Sequence, residues 1–204
     1  VLSGEILAQM AGTDSPEKLL PLIEFRKNYL ASSDIVRFDK FFPKIESALG
    51  KLKKAKLYLV TLRESKEQVV KLLKEEKLES FFEEILCADR LERKDFKGWK
   101  EGMIERKYNL LQILIHEKKF NLLSTAYVGD TVYDLIAARR HGLTPIGISS
   151  GFTPHSELIL HADHCFENLE QFTEWAEPQL KLVSANEKES SLKNGSHILV
   201  SELK

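Results

Sequence analysis

The sequence predicts an α/β fold, a parallel sheet with helices on both faces, and three observations predict it. Short apolar runs of strand type, at 56–61, 85–88, 125–129 and 145–149, alternate with segments of helical periodicity. One run ends in Gly129-Asp130, and Asp134 follows four residues later at the start of an amphipathic stretch closed by Gly142. In open α/β sheets, ligands bind at the carboxyl ends of parallel strands, which is where Asp130 falls. The bulk numbers agree: 204 residues, 43% of them hydrophobic, suffice for one cored domain with at most a small accessory.

The same numbers exclude some functions. The formal net charge is −1, so nothing in the charge balance suggests a polyanionic partner such as nucleic acid. No apolar run approaches a membrane span, and the first residues lack a basic-then-apolar signal. Cys87 and Cys165 sit in apolar stretches without metal-ligand spacing, which suits reduced thiols in a cytoplasmic protein.

Ser15-Pro16-Glu17 has the form of a helix start, and Leu19, Leu20, Ile23, Tyr29 and Leu30 continue it, predicting a helix over 16–31. Pro43 opens a second helix with Ile45, Ala48, Leu49 and Leu52 on one face, ahead of the strand run Lys56–Thr61. Ser65 and Gln68 form a capping-box signature before Val69, Val70, Leu72 and Leu73. Ile85–Ala88 is the next strand candidate. A long helix over 99–117 follows, with Ile104, Tyr108, Leu111 and Ile115 on its apolar stripe. Strand 125–129, helix 132–141 and strand 145–149 come next. His164-Cys165-Phe166 is a short strand, and Asn168 caps a helix over 169–177. Residues 184–197 are polar and predict a mobile tail. Ile198-Leu199-Val200 beyond it could add a strand.

Three positions at strand ends and one on the long helix carry chemistry. Thr61 offers a hydroxyl to a phosphate oxygen. Lys107, 21 residues before Val128, offers an ammonium to balance phosphate charge. Lys100 competes with it for that role. Asp130 and Asp134, one helical turn apart, are candidate ligands for a hard cation such as Mg²⁺. One hydroxyl, one cation and two carboxylates suit a small phosphorylated substrate bound with a metal. The bland alternative for the aspartates is a helix cap and a first-turn charge.

The order and spacing of these residues resemble the haloacid dehalogenase superfamily, mostly Mg²⁺-dependent phosphohydrolases. Leu57-Tyr58-Leu59-Val60-Thr61 is similar to its second motif, Lys107 to its third, and Gly129-Asp130-Thr131-Val132-Tyr133-Asp134 to its fourth. Ala137–Gly142, Ile146–Phe152 and Ala162–Leu169 resemble the phosphoglycolate-phosphatase-like branch. The resemblance implies a Rossmann-like core over 38–178, part of a helical cap over 1–37, and leaves 179–204 as a polar C-terminal tail. It also implies phosphomonoester hydrolysis, with Thr61 and Lys107 at the phosphoryl group and Asp130 and Asp134 at Mg²⁺.

The family's leading strand with its Asp-x-Asp nucleophile motif is missing from this sequence. Asp39 is its nearest imitation, but 22 positions to Thr61 leave too little room for a strand, crossover helix and strand. Losing four or five buried apolar side chains forfeits on the order of 10 kcal/mol, comparable to the stability of a whole domain. Two expectations follow: upstream sequence that completes the sheet, or a natural noncatalytic form that binds or assembles with a partner. In the second case Ile198–Glu202 is a conceivable substitute strand. It would set Ser201 where the family has its nucleophilic aspartate.

Overall fold

The computed structural model describes residues 41, 44–91, 99–151, 153–189 and 196–201, with Pro21 alone upstream; for 99, 100 and 183–189 it describes only the backbone. The chain divides into two units, Val1–Lys40 and Phe41–Lys204. The expected cap helix, the boundary at 37, and Asp39 lie outside the described residues. The second unit holds the sheet.

Helix α1 (Ile45–Lys51) leads into β1 (Lys56–Val60), then α2 (Lys66–Glu75) and β2 (Phe82–Leu86). The long helix α3 (Trp99–Lys118) precedes β3 (Thr125–Gly129), α4 (Val132–Arg140) and β4 (Thr144–Ile148). A single-turn helix α5 (His155–Leu158), β5 (His164–Phe166), α6 (Leu169–Glu189) and β6 (His197–Val200) complete the order.

Local chemistry explains most boundaries. Ser65 Oγ accepts from the Gln68 N–H at 3.3 Å, so the capping signature does start α2. Asn168 Oδ1 accepts from the Gln171 N–H at 2.9 Å at the head of α6. Helix α4 ends where Gly142 takes φ +72°, and the Leu143 N–H reaches back to the Ala138 carbonyl at 3.1 Å. A left-handed residue with that back-bond is a glycine-favouring helix stop.

Two elements run differently from the pattern. Strand β2 starts at Phe82 rather than Ile85, because its first residues lie on the sheet's edge, with Glu83 exposed, and lack an apolar signature. Helix α6 passes through Pro178 to Glu189, where the pattern predicts a stop near 177. Leu180 buries against the core two residues past the proline and rewards continuation.

The six strands lie in the order β2-β1-β6-β3-β4-β5, and every neighbouring pair is parallel. The last strand in the chain therefore sits inside the sheet, between β1 and β3. Its register is Leu59↔Val200↔Val128 across the three strands. The Ser201 N–H donates to the Val128 carbonyl at 2.8 Å and carries the ladder one step further.

This placement corrects the expected tail over 179–204. Helix α6 takes its first part, and 197–200 form a central strand. The reason is that β1 and β3 present unpaired edges and apolar faces that only a strand can satisfy. Alternation then sorts β6. Ile198 and Val200 join the core with Leu57, Leu59, Val128, Ile146 and Phe172. Leu199 faces the other side, with Tyr58, Tyr127, Leu110, Leu114 and Ala137. A sheet covered on both faces needs runs of apolar residues rather than alternating ones, and β1, β3 and β6 are such runs.

Candidate functional site

At the carboxyl ends of β1, β6 and β3 stand Thr61, Ser201 and Asp130, three neighbouring positions on the rim where open α/β sheets place their ligands. Helices α3 and α4, on one face of the sheet, bring Lys107 and Asp134 to the same corner. Lys107 Nζ lies 2.8 Å from Asp134 Oδ1, and the two side chains are 5% and 1% exposed. Lys107 also donates to Ser201 Oγ at 2.7 Å, and Ser201 Oγ donates to Asp134 Oδ1 at 2.8 Å. The Tyr127 hydroxyl donates to the same Oδ1 at 3.1 Å, while Thr131 Oγ1 donates to Oδ2.

Each member of this cluster is held by ordinary local structure. Thr131 is the N-cap of α4, its hydroxyl accepting from the Asp134 N–H at 3.3 Å. That fixes Asp134 in the first turn, where the helix dipole favours a carboxylate. Tyr127 and Ser201 point to the α3–α4 side of β3 and β6, because both lie on the face that Leu199 defines. Gly129 is required here: a Cβ at that position would run into the Asp134 side chain.

The electrostatics follow from the geometry. Burial pushes the Asp134 carboxyl up, but the Lys107 charge and hydrogen bonds from Lys107, Thr131 and Ser201 outweigh it and hold the group below its ordinary value. The Tyr127 phenol is raised, chiefly by burial. Asp134 is thus a charged, fully engaged carboxylate at neutral pH.

The sequence-predicted residues divide accordingly. Lys107 and Asp134 are brought into direct contact, with Lys107 two turns inside α3. Thr61 is buried at the end of β1, and its hydroxyl accepts from the Arg63 N–H at 3.2 Å. Asp130 is partly exposed, with its carboxylate against the loop after β4, where a Cβ on Gly151 would strike it. The Lys100 side chain lies outside the described residues. Ser201, Tyr127 and Thr131 complete the cluster. The sequence signals for them are the apolar triplet ahead of Ser201 and the Thr-x-x-Asp spacing of a helix cap.

Asp134, as placed, does not fit the role of a Mg²⁺ ligand, whereas Asp130 is partly exposed at the rim. Such an ion takes oxygen ligands in near-octahedral array, through one or two carboxylates with waters and substrate phosphate. Both Asp134 oxygens are taken by donors, a lysine ammonium stands 2.8 Å away, and the adjacent strand end supplies a hydroxyl. Among the described residues, no group of three or more His, Cys, Asp or Glu could hold a metal. The expected convergence of Asp130 and Asp134 on one cation is replaced by a lysine–carboxylate pair.

The family model for haloacid dehalogenase-like hydrolases matches residues 4–148. The chain belongs to that family. Solved structures share the fold at low identity. A haloacid dehalogenase-like family hydrolase from Streptococcus pneumoniae is 17% identical, with TM-score 0.64, over 83% of this chain and 75% of its own. A protein described as a predicted phosphatase from Clostridium acetobutylicum is 18% identical, with TM-score 0.64, over 90% and 77%. One described as a predicted phosphoglycolate phosphatase from Haemophilus somnus is 16% identical, with TM-score 0.58, over 83% and 72%. A search of curated proteins gave no significant match. This haloacid dehalogenase-like chain thus keeps the family's sheet and builds its centre from its own C-terminal strand.

Proposed function

We propose that, with β6 in the centre of the sheet, this haloacid dehalogenase-like chain is a noncatalytic form of a phosphatase scaffold. The observation that carries the reading is Ser201 Oγ, seated between Lys107 Nζ at 2.7 Å and Asp134 Oδ1 at 2.8 Å. The site offers a hydroxyl where the family resemblance calls for an attacking carboxylate. That hydroxyl is fully buried, and the carboxylate that accepts its proton, Asp134 Oδ1, also accepts from Lys107 and Tyr127, which leaves it a weak base for activating a serine. The ligand class to which the scaffold remains suited is a small phosphorylated molecule, with Thr61 and Lys107 as its phosphate contacts and Asp130 as the more accessible of the two aspartates.

A second reading is supported by the family match itself, which is to hydrolases. A polypeptide that also carried an apolar strand ending in Asp-x-Asp would have two strands competing for the position between β1 and β3. With the acidic strand in place, Asp130 and Asp134 could turn to Mg²⁺, and phosphomonoester hydrolysis would follow. A cytoplasmic setting suits either reading, since Cys87 and Cys165 are both free thiols and Cys87 is buried.

The test is release of phosphate from p-nitrophenyl phosphate by this chain with Mg²⁺, beside Asp130→Ala. No turnover above the variant is expected. Turnover that Asp130→Ala abolishes would overturn the noncatalytic reading. Activity gained only when an Asp-x-Asp strand is fused upstream would support the competition between strands.

A further inference from the structure

The strand that completes the sheet begins with a histidine in an unusual place. His197 stands opposite Lys56 of β1 and Thr125 of β3. Its ring centre lies 4.7 Å from that of Phe120 and 6.2 Å from that of Tyr58. Its Nδ1 is buried, and among the described residues it is the buried side-chain nitrogen or oxygen without a hydrogen-bond partner. We propose that His197 is a proton-sensitive latch: protonating its ring loosens β6 from β1 and β3 and uncovers the Lys107–Asp134 pair at the strand's other end.

Location and chemistry both support the latch. Strand β6 joins β2-β1 to β3-β4-β5, so anything that weakens its docking acts on the centre of the sheet. A neutral imidazole tolerates an unpaired buried lone pair at modest cost. Once protonated, it presents an N–H donor with no acceptor among the described residues, beside an aromatic wall. The charged groups nearby do not help. Lys56 beside it is cationic, and the Glu84 carboxylate on β2, which with Glu83 acts on Tyr58, is already paired with Lys118 at 2.6 Å. The ring faces of Phe120 and Tyr58 offer π density but no hydrogen-bond acceptor.

Burial, then the Lys56 charge, hold the folded ring's pKa below its ordinary 6.5. The released strand therefore takes the proton first. Docking of β6 is at full strength above the ordinary histidine value, weakens as pH falls through it towards the folded value, and then levels off. Within that window the docking constant falls by up to about tenfold per pH unit. His141 is also held low by burial, but it sits at the end of α4, stacked on Tyr108, so its effect would register there.

The experiment is amide hydrogen exchange of the full chain at pH 7.5, 6.5 and 5.5, corrected for intrinsic rates, beside His197→Phe. Protection over 197–201 is expected to drop several-fold or more from pH 7.5 to 5.5 in the wild type, ahead of 144–148, and to stay level in His197→Phe. An unchanged wild-type profile, or an equal drop in the variant, would overturn the latch. Should His197→Phe fail to fold, the His197 ring proton titration in the wild-type chain decides. A value at or above the ordinary histidine range refutes the proposal, and one below it supports it.

Discussion

Replacing Leu199 by alanine probes the centre of the sheet with the least ambiguity. Leu199 is wholly buried, flanked by Tyr58 of β1 and Tyr127 of β3 in register and packed in the α3–α4 core. Truncating a buried leucine removes its transfer free energy and leaves a cavity, together about 2–5 kcal/mol. Collapse is hindered here because the residue lies between two strands and under two helices, which places the cost in the upper part of that range. For a chain of this size, each kcal/mol lowers Tm by roughly 2–4 °C, so a fall of about 6–20 °C is expected in a thermal melt followed by circular dichroism. Leu182→Ala is the control, because Leu182 is 66% exposed and its loss belongs within about 0.5 kcal/mol. A Leu199→Ala melt indistinguishable from that of Leu182→Ala would show that β6 is not in the sheet. The reconstruction of the site around Ser201 would fall with it.

Two further outcomes concern the buried pair. Lys107→Met strands the Asp134 carboxylate without its counter-charge and is expected to cost about 3–5 kcal/mol in urea unfolding; adding Asp134→Asn should recover much of that loss. A double variant no more stable than Lys107→Met would deny the pairing. Because the Asp134 pKa is lowered on folding, its contribution is complete above the ordinary carboxylate value and is lost as pH falls through that value to the folded one. Melts from pH 7 down to pH 2 should therefore show a steeper loss in wild type than in Asp134→Asn, and parallel curves would contradict the assignment.

The sequence poses an energetic problem in advance: a parallel sheet of this kind without a strand between β1 and β3 forfeits on the order of 10 kcal/mol. The structure answers with three apolar residues. Ile198, Leu199 and Val200 at about 1.5–3 kcal/mol each contribute roughly 5–9 kcal/mol, most of that deficit. A strand this short, behind a polar stretch, carries too little periodicity to announce itself. Its signal is the vacancy it fills, and that vacancy exists only once β1 and β3 are in place.

The sequence alone determined the alternation of strands and helices, the caps at Ser65 and Asn168, the stop at Gly142, and the pairing of Gly129-Asp130 with a helix start. These depend on neighbours within a few residues, where hydrogen bonding and periodicity act directly. Only the tertiary structure decided which strand stands at the centre, that Asp134 faces Lys107, and that Ser201 lies between them. Those outcomes rest on contacts between residues far apart in the chain, 67 and 94 positions for the two that Ser201 makes. Across such distances, the pairing of edges and the burial of charge select the partner, and no local pattern encodes it.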